Sequence, residues 1–174
     1  FLTASMNPSL SRPFVLLGLL AATLTAGCSR SETPAASSGT VSAKSGATAG
    51  DRDAGKKVFL TVCFACHQAT GLGLPGAFPP LAGSEIATAS DPSKIIRIVL
   101  HGLAGPIEVK GTTFNGVMPA QGGQLSDTQI ADALTYVRSE WGNAAAPVTV
   151  EAVAGIRASA QRPTPWTWAE LNSP

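Results

Sequence analysis

Apolar residues along this chain form one continuous block, then nearly vanish, then return at helical intervals. The block runs from Phe14 to Leu24 behind Arg12 and is followed by Thr25-Ala26-Gly27 ahead of Cys28. A charged start, a short apolar segment and small residues before a cleavage point make residues 1–27 a secretory signal, too short for a spanning helix. Met6 is read as the true start, behind a five-residue stretch from Phe1 to Ser5. Residues 29–50 mix Ser, Ala, Gly and Thr with almost nothing to bury. They predict a flexible linker spanning roughly 25 Å r.m.s..

Periodicity begins near Asp51. Ala54, Val58 and Val62 fall on one stripe of a first helix starting at Asp51 or Asp53. Asp91-Pro92 predicts an N-cap with proline in the first turn of a second helix, which carries Ile95, Ile96, Val99 and Leu100. Ser126-Asp127-Thr128-Gln129 fits a capping box, opening a helix with Ile130, Leu134, Val137 and Trp141 on its inner face. A shorter helix follows from Thr149 through Val153 and Ile156. Between Gly102 and Leu125 no helical signal exists, only Gly-rich sequence with one hairpin candidate at 107–111. The folded part is therefore a single domain over 51–160, followed by a Pro- and Trp-containing tail at 161–174.

Charge narrows the partners. Arg12 is the only charged residue ahead of Cys28, so the rest of the chain balances 11 Lys and Arg against 11 Asp and Glu. A nucleic-acid binder usually shows a basic excess, so no nucleic-acid partner is expected.

Candidate chemistry centres on Cys63-Phe64-Ala65-Cys66-His67. C-x-x-C-H is the attachment signature of a c-type haem: each thiol adds to one vinyl group and the adjacent imidazole falls under the iron. Two other readings stay open. A thioredoxin-like C-x-x-C needs a strand leading into its helix, whereas helical sequence precedes these cysteines. A zinc site needs four ligands, and only Cys63, Cys66, His67 and His101 are available. Cys28 ends the small-residue run and so resembles the lipidated cysteine of a bacterial lipoprotein; the alternative is an ordinary exported protein with a spare thiol. Export agrees with the haem reading, because bacteria attach haem c outside the cytoplasmic membrane. For the second axial position the mature chain offers Met118, in the loop Asn115-Gly116-Val117-Met118-Pro119, or His101 at a helix end. Met118 is favoured, since a loop thioether followed by proline can approach iron without helical constraint. His/Met ligation fills both axial sites and leaves outer-sphere electron transfer.

With these residues placed, Asp53 to Gly142 resembles a class I (monohaem) cytochrome c. The resemblance implies an all-α fold of three to five helices packed around one covalent haem, with long irregular loops. It implies that Gly55 and Phe59 pack crosswise against Tyr136 or Trp141. It also implies that a proline carbonyl in Pro79-Pro80-Leu81-Ala82-Gly83, assigned to Pro79 with Pro80 as the alternative, accepts a hydrogen bond from His67. The segments around Leu100-His101-Gly102-Leu103 and Asn115–Pro119 are similar to cytochrome domains of periplasmic oxidoreductases. That similarity implies redox-protein partners: a dehydrogenase donor and an oxidase or reductase acceptor. The expected protein is a one-electron carrier of the bacterial periplasm, tethered to a membrane by lipid on Cys28, and not itself an enzyme. Competing functions are a haem sensor or peroxidase with a displaceable Met118, and a thiol–disulfide oxidoreductase using Cys63 and Cys66. The tail, with Trp166 and Trp168, is either folded back on the domain or a docking segment.

Overall fold

A computed structural model describes residues 47–173. The signal segment, Cys28 and most of the linker lie outside the described residues. Thr48 and Gly50 already bond to the domain, slightly ahead of the linker boundary read from composition. Gly50 N donates to Val148 O at 2.9 Å and Val150 N to Thr48 O at 2.9 Å. Backbone bonding to a distant segment holds these residues, which their own side chains do not announce.

The frame is helical. Helix α1 spans Arg52–Val58, and its cap Asp51 accepts from Ala54 N at 2.7 Å. Helix α4 spans Asp127–Ser139 and opens with the Ser126–Gln129 capping box. The two cross at Gly55, where a Cβ would lie 1.9 Å from Asp132 O. Only a residue without a side chain lets the backbones meet there. Beside the crossing, fully buried Phe59 contacts Tyr136 at 5.4 Å and Trp141 at 5.1 Å between ring centroids. Both aromatics serve, although helix α4 ends at Ser139 and Trp141 follows it with φ +53. Helix α3, Ser93–His101, differs from expectation by one position. Pro92 itself occupies the cap, while the Asp91 carboxylate accepts from Ser93 N at 3.0 Å. Helix α5, Val150–Ser159, is capped by Thr149 and places Val153 in a core with Ile96, Leu100, Ile130 and Leu134.

The expected irregular stretch after Gly102 is instead a β-hairpin. Strand β1, Leu103–Val109, pairs antiparallel with β2, Thr112–Met118. The two-residue turn between them, Lys110 and Gly111, has positive φ at both positions (53° and 71°), as a type I′ turn requires. Pro106 and the glycines at 105 and 116 interrupt the apolar alternation, so the sequence shows only the turn end. The hairpin is added to the small helical frame and does not replace it.

The tail completes this side. Trp166 N donates to Gly102 O at 3.0 Å, and Ala104 N donates to Trp166 O at 2.8 Å, a parallel bridge along the edge of β1. A short helix α6, Trp168–Asn172, buries Leu171 against Ile98, Leu103 and Phe114. An exposed strand edge is thereby covered.

Candidate functional site

The first helix does not run straight into the cysteines. After α1 the chain widens into a π-helical turn, Phe59–Cys63, in which Phe64 N donates back to Phe59 O, before α2 resumes at Phe64–His67. Such bulges insert one residue, re-aiming the side chains that follow, and recur at functional sites. Here Cys63, Cys66 and His67 all line one cleft. His67 is 8% exposed, and its Nδ1 lies 3.1 Å from Pro79 O. A carbonyl can only accept, so Nδ1 carries the proton and Nε2 keeps its lone pair. Burial pulls the pKa of His67 down, against a smaller upward pull from the Pro79 bond, so the neutral ligand form is favoured. The bond goes to Pro79 and not Pro80. The loop bearing Pro79 is braced by Leu81 N and Ala82 N on Gly71 O, and by Trp141 Nε1 on Ala69 O at 2.9 Å.

The hairpin supplies the other wall. In its register Leu103 faces Met118, Gly105 faces Gly116, and Ile107 faces Phe114, and all six line the cleft. Met118 therefore reaches the site from the end of β2, half-buried, rather than from a loop. The cleft holds about 1320 Å³ of space unfilled by protein, part of it open to solvent, and its walls are overwhelmingly apolar. At Gly105 and Gly116 a side chain would project into room rather than into protein: a Cβ would meet nothing within 4 Å at Gly105, and only Ala77 O at 3.9 Å at Gly116. Paired glycines on the inward face strip the hairpin where a flat group must approach closely. Two thiols and an imidazole on one wall, a thioether on the other and a bare apolar floor between them fit a covalent haem.

Other candidates fare differently. His101 does not line the cleft; its Nε2 is buried without a partner, and burial with the charges of Arg162 and Arg157 holds its pKa down. Among the described residues no three of His, Cys, Asp and Glu converge as a metal site. Cys63 and Cys66 are unlinked thiols, and burial, aided by neighbouring Cys66, pushes Cys63 up to about 11. Exchange chemistry needs a thiolate, so this environment opposes it. Sequence reasoning missed Gly105 and Gly116. Period-two alternation carried through the hairpin from its turn would have found them on the inward face.

Comparison with known proteins agrees with this site. The family model described as Cytochrome c matches residues 53–141. The chain is 43% identical over 117 residues to "Cytochrome c-552" of Thermus thermophilus, covering 63% of this chain and 88% of that protein. It is 36% identical over 104 residues to the "Alcohol dehydrogenase (quinone), cytochrome c subunit" of Gluconobacter oxydans, 59% of this chain but 21% of that one. It is 35% identical over 116 residues to the "Fructose dehydrogenase cytochrome subunit" of Gluconobacter japonicus, 62% of this chain and 23% of that protein. The fit of the cleft and these matches together mean that the chain belongs to the cytochrome c family, with the small helical fold, a covalently bound haem c and an electron-transfer role.

Proposed function

We propose that this protein is a one-electron carrier whose single haem is bonded through Cys63 and Cys66 and ligated by His67 and Met118. The observation that carries the reading is the bond between His67 Nδ1 and Pro79 O, with Met118 lining the same cleft. It leaves Nε2 free to ligate and fixes the ring, as such outer partners do for ligating histidines. When bound, the haem supplies a one-electron iron couple that a thioether ligand biases toward the ferrous state. Met118 would occupy the second axial position and exclude added ligands. The apolar walls offer water few partners beside the haem. Val117, on the cleft itself, and Phe64, between the cysteines, remain exposed at 67% and 42%. They offer an apolar rim on which a redox partner can dock, and the balanced charge beyond Cys28 gives little long-range steering.

The dehydrogenase cytochrome subunits among the relatives suggest a dehydrogenase donor, with an oxidase or reductase as acceptor. The signal-like segment ending at Cys28 supports a periplasmic site and a lipid tether. Radiolabelled palmitate incorporated by the parent and absent from C28A would test the tether; equal labelling of both would reject it.

Met118→Ala tests the ligand set. The expected result is a lower midpoint potential and a haem spectrum that responds to added imidazole or cyanide. An unchanged spectrum and potential would remove Met118 from the iron. A parent protein that itself binds these ligands readily would favour the sensor or peroxidase reading over the carrier.

A further inference from the structure

Arg138 is 1% exposed on α4, among the most deeply buried side chains of the described residues. Its Nη1 donates to Ala87 O at 2.8 Å and Ala89 O at 2.9 Å, and its Nε donates to Ala146 O at 2.7 Å. All three acceptors are neutral. No carboxylate lies within salt-bridge reach among the described residues. Asp91 acts on Arg138 only from a distance, and its carboxylate is engaged with Ser93 at the surface. Carbonyl dipoles solvate the guanidinium but leave its full charge in place, and arginine does not escape burial by losing its proton.

The position of that charge matters. Ala87 and Val137 both line the haem cleft. Arg138 follows Val137 in the chain and hydrogen-bonds the carbonyl of Ala87, so it stands directly behind the cleft wall. Burial on this scale is costly for a charge that only ties segments together, since a neutral donor could bond the same carbonyls with less desolvation. Water and salt screen a buried charge poorly.

We propose that Arg138 is an electrostatic tuning residue whose uncompensated buried charge raises the reduction potential of the haem. The inference rests on the haem reading above. In the step it acts on, one electron arrives from a one-electron donor, ferric iron becomes ferrous, and no bond forms or breaks. The net charge of the cleft falls by one, so a nearby cation stabilises the product relative to the reactant. No proton need move.

The test uses the haem-loaded full chain with R138Q and R138K, reading covalent haem content, melting temperature and spectroelectrochemical midpoint. A unit charge just behind the wall, in a medium of effective dielectric about 20, implies roughly a tenfold change in the reduced-to-oxidised ratio, or ~59 mV for one electron. R138Q is expected to lower the ratio by that factor at fixed solution potential. R138K, which keeps the charge but cannot make the same three bonds, is expected to melt lower while holding its midpoint. An unmoved midpoint in R138Q, or equal shifts in both variants, overturns the proposal. Where R138Q does not accumulate, R138K alone decides: a parent midpoint with lowered melting supports the retained charge, and a midpoint shifted as far as loss of a charge would shift it overturns the proposal. Protein that retains no covalent haem on denaturation rejects the haem reading itself, whereas attached haem with an unmoved midpoint rejects only the role of Arg138.

Discussion

The helical wall bearing His67 and the hairpin wall bearing Met118 reach one cleft by unlike routes. On the helical wall, contacts are close and over-determined: two backbones touch at Gly55, three aromatic rings interlock beside them, and His67 is bonded to a loop that Trp141 and Gly71 brace. The hairpin wall is thin, two strands with glycines at its centre, and depends on a C-terminal segment for its outer cover. The wall that holds the covalent and proximal attachments is closely braced, while the wall holding the thioether takes its cover from the last segment of the chain and leaves room for the cofactor. That division predicts which substitutions cost the fold and which cost only the site.

Gly55→Val should have the largest effect. Its Cβ would overlap Asp132 O, so α1 and α4 must separate and the Phe59 cluster with them. Loss of a cooperative thermal transition by circular dichroism is expected; a melting temperature near the parent's would mean that the crossing is not the keystone. Leu171→Ala comes next. Removing a side chain 5% exposed at the back of the hairpin should cost about 2–4 kcal/mol in urea unfolding. A change below about 0.5 kcal/mol would make the tail a surface ornament, free for docking.

Gly116→Val sharpens the contrast, because it should spare the fold and spoil the site. Its φ is unstrained and its Cβ has space, so the unloaded chain should melt within about 1 kcal/mol of the parent while covalent haem content falls severalfold. Full haem content would show that the cofactor does not approach the hairpin floor.

The smallest effect concerns acid. His67 has its pKa lowered by burial from its ordinary 6.5, and His101 is lowered likewise. Below about pH 6.5 the unfolded chain therefore binds more protons than the folded one, and stability falls as pH falls. Stability of the chain without haem should decline between pH 7 and 5 by at most about 1.4 kcal/mol per pH unit for each histidine. The lowered carboxylates, Asp91, Glu151 and Glu170, act only further down. A flat profile over that window would mean that both imidazoles take up protons in the fold as readily as in the unfolded chain.

Much of the helical wall was legible in the chain. The capping box at Ser126, the stripe through Val58 and Val62 and the pentapeptide at 63–67 are local patterns, each set by residues a few positions apart, whereas Gly55 and Phe59 were pointed to by the resemblance to class I cytochromes c. Little of the hairpin wall was, because Pro106 and two inward glycines erase the alternation by which a strand is recognised. The π-helical turn leaves no compositional trace. Arg138 reads as one more charged residue on a helix until the carbonyls of Ala87, Ala89 and Ala146 are seen to surround it.

By itself the sequence determined the cofactor, its point of attachment and the helices that frame it, because thiol spacing, caps and apolar periodicity act over one or two turns. Tertiary structure alone decided that Pro79 rather than Pro80 bonds His67, that Met118 and not His101 lines the cleft, and that residues 161–173 close the hairpin's edge. Those choices depend on which distant segments come within hydrogen-bond and van der Waals range, and only the folded chain sets those distances.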